Sequence, residues 1–187
     1  MMERSEFREI IRIEKYQYRK KFGLSSIIEY WTAFLFSEPV SGIMNWQISS
    51  RKCDYYASKN FFVFKILAQY YRFKRNYYGR KMNIEASTSN IGKGLLIYHS
   101  GGIIINSKAE IGNNVHFHGS NCVGNAGESA PNGCPKIGNN VTIGVGAKII
   151  GNIEIADGII IGAGSVVVKS FTEPNITIAG VPAKKIS

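Results

Sequence analysis

The sequence predicts a mainly β protein, a parallel β-helix of hexapeptide repeats over residues 83–187 preceded by an α-helical N-terminal region over residues 1–82. Three observations lead there. An aliphatic or aromatic residue recurs every six positions through the second half, glycine often follows it, and composition changes sharply near residue 82. Residues 1–82 carry 16 basic and seven acidic side chains against seven and six in residues 83–187, and 19 of the 22 aromatic residues precede Met82. A shift of that kind marks two kinds of structure.

In the first half, Ser5 is placed to cap a helix carrying Phe7, Ile10, Ile11 and Ile13, with Gly23 placed to end it. Ser26-Ile27-Ile28-Glu29 has the spacing of a capping box for a second helix, which stops near Pro39 because the proline ring clashes with a preceding turn. A third helical segment runs from about Lys59 to Tyr78, with Phe61, Phe62, Phe64, Leu67, Tyr70 and Tyr71 at mixed helical spacing. From Arg72 to Lys81 cations alternate with aromatic rings. The first reading is of basic side chains snorkelling around an aromatic helix that packs on its neighbours. A peripheral contact with a membrane surface is the second, and nucleic acid the last, since no groove-reading motif accompanies the charge.

In the second half the anchors are Ile91, Ile97 and Ile103, then after a two-residue slip Ile105, Ile111, Phe117 and Val123, resuming at Ile137, Ile143, Ile149, Ile155, Ile161 and Val167. Six is neither a helical period nor strand alternation. It suits a strand of two or three residues and a tight corner, where glycine or asparagine takes positive φ without a Cβ clash. Three hexads make a triangular coil, and stacked coils bury the anchors in one column that no single coil could bury alone. The stretch Gly124 to Pro135 interrupts the period with turn residues and reads as a loop leaving the coil.

Cys53, Cys122 and Cys134 are odd in number and form no CxxC pair, which fits free thiols better than a disulfide framework, and no zinc-ligand spacing is present. The charged start and the short apolar runs Tyr30 to Phe36 and Phe61 to Phe64 imply neither a signal peptide nor a spanning helix. The expected location is the cytoplasm, or the inner face of the membrane.

The stretches IGKGLLIYHSGGIIINSKAEIGNNV, GCPKIGNNVTIGVGAKIIGNIEI and IIIGAGSVVVKSFTEPNITIAGVPAKKI resemble the serine acetyltransferase branch of the left-handed β-helix acyltransferases. The resemblance covers about residues 83–187. It implies a left-handed coil, acetyl-CoA as donor, and a homotrimer with active sites in the clefts between copies, while the spacing of His116, His118 and Cys122 matches no closed metal-ligand set. His99 falls on the family's catalytic histidine. Such a reaction needs a base, because an alcohol is a poor nucleophile at neutral pH and an imidazole can take its proton as it attacks the thioester. Glu85 lies near the family's acidic position, where a carboxylate would orient the imidazole. The resemblance places the donor on the later coils, along Gly144, Val145, Gly146, Gly162, Ala163 and Gly164, with Lys169, Lys184 and Lys185 toward the phosphates.

Two departures bear on the acceptor. In serine acetyltransferases aspartate precedes the histidine and the loop ends with arginine, histidine and proline, whereas this chain has Tyr98 before His99 and Gly133-Cys134-Pro135 before Lys136. A free amino acid needs charged partners for its two ends. The resulting expectation is a saccharide acceptor, as in the members of polysaccharide biosynthesis, with Tyr98, His118 and Cys134 as acceptor contacts. Serine O-acetyltransfer and a non-catalytic trimeric scaffold are the alternatives.

Overall fold

Pairing between successive coils turns the sixfold column of the sequence into the interior of a β-helix. The computed structural model describes residues 2–23, 39–127 and 133–187, and the chain divides into the units Met1–Ile84 and Glu85–Ser187.

The first unit holds, among the described residues, helices α1 (Arg4–Phe22), α2 (Pro39–Ala57) and α3 (Phe62–Met82). Ser5 is not the cap of α1. Glu3 occupies that position in an extended conformation (φ −76°, ψ 154°), donating its backbone N–H to Glu6 Oε2 at 3.4 Å. A carboxylate there also meets the positive end of the helix dipole. Gly23 ends α1 with φ 67°, as expected. The second helix expected from Ser26 lies outside the described residues, and Pro39 stands at the first position of α2. At a first helical position proline loses no hydrogen bond and its φ is already helical.

Helix α2 escapes a sequence reading because much of its buried face is polar: Ser41, Gln47, Ser49, Ser50 and Arg51 are all buried. Two of them, Gln47 and Arg51, have partners on α1. Arg51 Nη2 and Nε donate to Glu14 Oε1 at 2.7 and 3.1 Å, with both side chains 3% exposed or less, and the Tyr18 hydroxyl donates to Gln47 Oε1 at 3.0 Å. Removing one member of such a buried pair strands the other charge, at a cost of about 3–5 kcal/mol. Helix α3 packs one face on α2, where Gly42 leaves room for Met82. The snorkelling reading covers only that face, because Phe62, Ile66, Tyr70, Phe73 and Tyr77 are each at least half exposed.

Strands are numbered along the chain. One sheet is ordered β1 (Ile84–Glu85), β3 (Ile103–Ile105), β6 (Cys122–Gly124), β9 (Lys148–Ile150), β12 (Val166–Val167). A second holds β4 (Glu110–Ile111), β7 (Lys136–Ile137) and β10 (Glu154–Ile155). The third runs β2 (Leu96–Ile97), β5 (His116–Phe117), β8 (Thr142–Ile143), β11 (Ile160–Ile161), β13 (Thr177–Gly180), β14 (Ala183–Lys185). Pairing is parallel from β2 to β13, and β14 folds back antiparallel on β13.

The registers stack Ile97, Phe117, Ile143, Ile161 and Ile178 on the third sheet, Ile105, Val123, Ile149 and Val167 on the first, and Ile111, Ile137 and Ile155 on the second. None is more than 7% exposed. A second buried column, unremarked in the sequence reading, lies two residues before the first: Ala109, Val115, Asn121, Val141, Ala147, Ile153, Ile159 and Ser165.

The slip falls elsewhere than expected. Ile105, not Ile103, pairs with Val123, and Ile104 pairs with Cys122, so Ile103 belongs to the second column and the two extra residues lie in the corner between β2 and β3. The corner between the second and third sheets is tied by a polar ladder. Asn113 Oδ1 accepts from the Lys93 N–H at 3.0 Å, Asn139 Oδ1 from the Asn113 N–H at 2.8 Å, and Asp157 Oδ1 from the Asn139 N–H at 2.7 Å. Hydrogen bonds from the Asn139 backbone and side chain hold the Asp157 carboxyl below the usual aspartate range.

Candidate active site

The enlarged corner after β2 carries His99. Gly101 and Gly102 turn it with φ of 117° and 78°, and His99 is exposed on it. One coil on, Gly119 (φ 108°) sits so close that a Cβ there would lie 3.2 Å from His99 Cβ and 3.1 Å from the His99 carbonyl oxygen. Its conformation requires glycine, and a side chain there would crowd His99.

The turn beside His99 is braced by residues that sequence reasoning missed. Asn121, 1% exposed, accepts the Gly119 N–H on Oδ1 at 2.9 Å and donates from Nδ2 to the Gly144 carbonyl at 2.8 Å. The Ser120 hydroxyl donates to the Gly101 carbonyl at 2.7 Å. A signal was present, since Asn121 interrupts a column otherwise made largely of alanine, valine and isoleucine.

Tyr98 lies among three imidazoles. Its ring stacks on His118 with centroids 4.2 Å apart and planes 10° from parallel, and stands 5.9 Å from His116 and 6.5 Å from His99. Each of these imidazoles can offer an N–H to a carboxylate or a carbonyl.

Continuing the registers past the strands gives two rows that start at these residues. Tyr98, His118, Gly144, Gly162 and Ala179 form one, extended by Lys184, which pairs with Ala179. His99, Gly119, Val145 and Ala163 form the other. At about 4.8 Å per coil, His99 and Ala163 are about 14 Å apart along one edge. The glycines have different causes. A Cβ on Gly144 would lie 2.6 Å from Ala163 N, and one on Gly162 2.8 Å from Ala179 Cβ, so coil stacking itself demands them. Gly146 and Gly164 take φ of 74° and 66° and leave the corner open, with no atom within 4 Å of a Cβ built on Gly164. Val145 is 50% exposed beside them.

Three expected residues do not join His99 within the chain. Glu85 is exposed on β1, and no hydrogen bond or ion pair links it to His99. Cys134, 7% exposed, lies just before β7, on the corner between the first and second sheets. Lys169 lies on that same corner after β12, its Nζ 5.3 Å from the centre of the Phe171 ring. Lys185 is held by Glu173 at 2.7 Å, while Lys184 is exposed. Among the described residues no three His, Cys, Asp or Glu side chains gather as a metal site, and no helix is long and apolar enough to cross a membrane. A groove lined by Asn90, Glu110, Lys136, Asn139 and Glu154 follows the second sheet, away from His99.

No family model matches the chain. Among curated proteins it is similar to serine acetyltransferase of Buchnera aphidicola, 44% identical over 99 residues, covering 52% of this chain and 38% of that protein. It is also similar to serine acetyltransferase of Escherichia coli, 45% identical over 96 residues, covering 51% and 35%. The matches thus take in little more than a third of the relatives' own length. Among solved structures, the serine acetyltransferase of Neisseria gonorrhoeae in complex with serine superposes with a TM-score of 0.71 at 25% identity, covering 98% of this chain and 70% of that one. The fold is the left-handed parallel β-helix with N-terminal helices, and the likeness is to the serine acetyltransferase type of hexapeptide acyltransferase.

These relatives overturn the saccharide acceptor and the polysaccharide-biosynthesis branch. The structure explains why the inference misled. It leaned partly on the loop end at Gly133-Cys134-Pro135, yet Cys134 is buried on a corner other than that of His99, so its lack of charge says nothing of what His99 meets within this chain. The remaining departure, Tyr98, stands beside His116 and His118, whose imidazoles can supply polar partners.

Proposed function

We propose that this protein transfers the acetyl group of acetyl-CoA to the hydroxyl of serine, with His99 as general base. His99 Nε2 or Nδ1 takes the hydroxyl proton while the serine oxygen attacks the thioester carbonyl. A backbone N–H at the open corner stabilises the tetrahedral oxyanion. Collapse breaks the carbon–sulfur bond, and the departing thiolate receives the proton from the imidazolium, leaving O-acetylserine and free CoA. A positioned general base contributes about 10²–10⁴-fold to such a step.

The observation that carries this reading is the registered edge His99, Gly119, Val145, Ala163. It sets the base at one end of an open, glycine-lined corner along which an extended donor arm can approach the backbone. Gly146 and Gly164 keep that corner free of side chains, and Lys184 offers a cation for a phosphate. The serine acetyltransferase relatives support serine as the acceptor, and the imidazoles of His116 and His118 are the candidate donors to its carboxylate.

The working unit in this reading is a homotrimer. His99 stands on an exposed edge, and a neighbouring copy would close the cleft over it, bringing residues from other corners of the coil, Lys169 among them. Glu85 keeps the role of orienting carboxylate only if assembly moves it to the imidazole. The test is free-thiol release from acetyl-CoA with serine, alongside His99→Ala. Serine-dependent release that the substitution abolishes supports the proposal; serine-independent consumption, or none, removes it.

A further inference from the structure

Helix α3 has two faces with different fates. On a helical wheel starting at Phe62, the residues Phe62, Phe73, Ile66, Tyr77 and Tyr70 fall within an arc of about 80°. Their exposures are 75, 66, 55, 50 and 53%. Phe61 and Val63, at 76 and 63%, extend the patch at its N-terminal end. The buried residues Ala68, Gly79 and Met82 lie on the opposite side, at about 200–260°. An apolar stripe this long on the far side of a packed helix marks an interaction surface.

Charge says what kind. Lys74 and Lys81 border the stripe on one side at about 100–120°, and Lys65 and Arg72 on the other at about 280–300°. Arg75 and Arg80 bring the cations of α3 to six, with the exposed Arg80, at about 0°, closing the stripe at its C-terminal end, and no acidic residue occurs between Asp54 and Glu85. Lys74 Nζ stands 5.8 Å from the centre of the Tyr70 ring, a cation at the margin of the aromatic strip. Two such faces from two copies would oppose like charge to like charge. An anionic lipid surface meets both features, since the rings enter the acyl boundary while the flanking cations reach phosphates. With six cations the helix cannot span a bilayer.

We propose that α3 docks this protein on anionic membrane surfaces, lying in the plane of the interface with Phe62, Ile66, Tyr70, Phe73 and Tyr77 toward the lipid. The experiment is co-sedimentation of the full chain with vesicles of phosphatidylcholine alone or mixed with phosphatidylglycerol. It is repeated with Phe62→Ser/Ile66→Ser/Phe73→Ser and with Lys65→Gln/Arg72→Gln/Lys74→Gln/Lys81→Gln. Circular dichroism checks folding, sedimentation velocity checks assembly, and acetyl transfer in free solution is expected to be unchanged in both variants.

The expected result is binding to the phosphatidylglycerol vesicles only, weakened by salt and reduced about tenfold or more in either variant. Absence of binding at low salt, or equal binding by the variants, overturns the proposal. Loss of an oligomer in the serine variant without a change in vesicle binding assigns the stripe to a second copy instead. Binding to oligonucleotides but not vesicles, lost in the glutamine variant, assigns it to nucleic acid.

Discussion

Tyr98 and His118 stack face to face across adjacent coils, their ring centroids 4.2 Å apart. Tyr98 stands directly before His99, where the resemblance would place an aspartate. Tyr98→Asp is expected to lower KM for serine, because a carboxylate among three imidazoles can pair with the ammonium group, while kcat changes little. Tyr98→Ala removes from His118 a stacked partner worth about 0.5–1.5 kcal/mol, so KM should rise. Steady-state kinetics with serine varied at saturating acetyl-CoA separates these outcomes, and a fall in kcat alone would count against an acceptor role for Tyr98.

His99→Ala should lower kcat by about 10²–10⁴ with little effect on thermal unfolding, because the side chain is exposed and braces nothing in the coil. Thiol-release kinetics and a melting curve on the same preparation check both halves of that statement.

Asn121→Ala probes the brace below His99. It leaves the Gly119 N–H and the Gly144 carbonyl without the Asn121 partner, and an unsatisfied buried polar group costs about 1–3 kcal/mol. Urea unfolding should show a loss of about 2 kcal/mol or more. If the brace also positions the corner, kcat/KM falls well below wild type at a temperature where the variant remains folded.

Ile143 is fully buried between Phe117 and Ile161. Ile143→Asp places a carboxylate in that column and should unfold the second unit, seen as loss of its β signal in far-UV circular dichroism. Ile143→Val removes one methylene and should cost about 0.5–1.5 kcal/mol. A stable, fully folded aspartate variant would contradict the interior column.

Asp157 gives the fold an acid-side sensitivity. Its folded-state pKa lies below the ordinary value because Asn139 donates to it, so the unfolded chain binds the proton more readily. The contribution to stability is complete above the unfolded pKa and disappears as pH falls through the folded one, that is, below about pH 4. Asp157→Asn keeps an acceptor but cannot titrate. Melting temperatures across acid pH should therefore converge for the two proteins at the lowest pH, with wild type ahead above it.

The interior of the β-helix was legible from the period alone, because each coil must return an apolar side chain to the same place and six-residue sides do so repeatedly. His99 as the base rests on the resemblance and on the reading proposed above. Helix α2 was not, since its buried face includes Gln47 and Arg51, whose partners Tyr18 and Glu14 lie 29 and 37 residues away. A polar face of that kind has no hydrophobic period to read.

The tertiary structure alone decided which residues share an edge. Sequence spacing measures distance along the coil, but an insertion at one corner shifts everything after it, and only hydrogen-bonded register between coils says which corner absorbed it. That register moved Ile103 to the second column, aligned His99 with Val145 and Ala163, put Asn121 beneath the turn, and sent Cys134 and Lys169 to another corner. Local chemistry thus determined what kind of coil this chain builds, and backbone pairing across coils determined which of its side chains face one another.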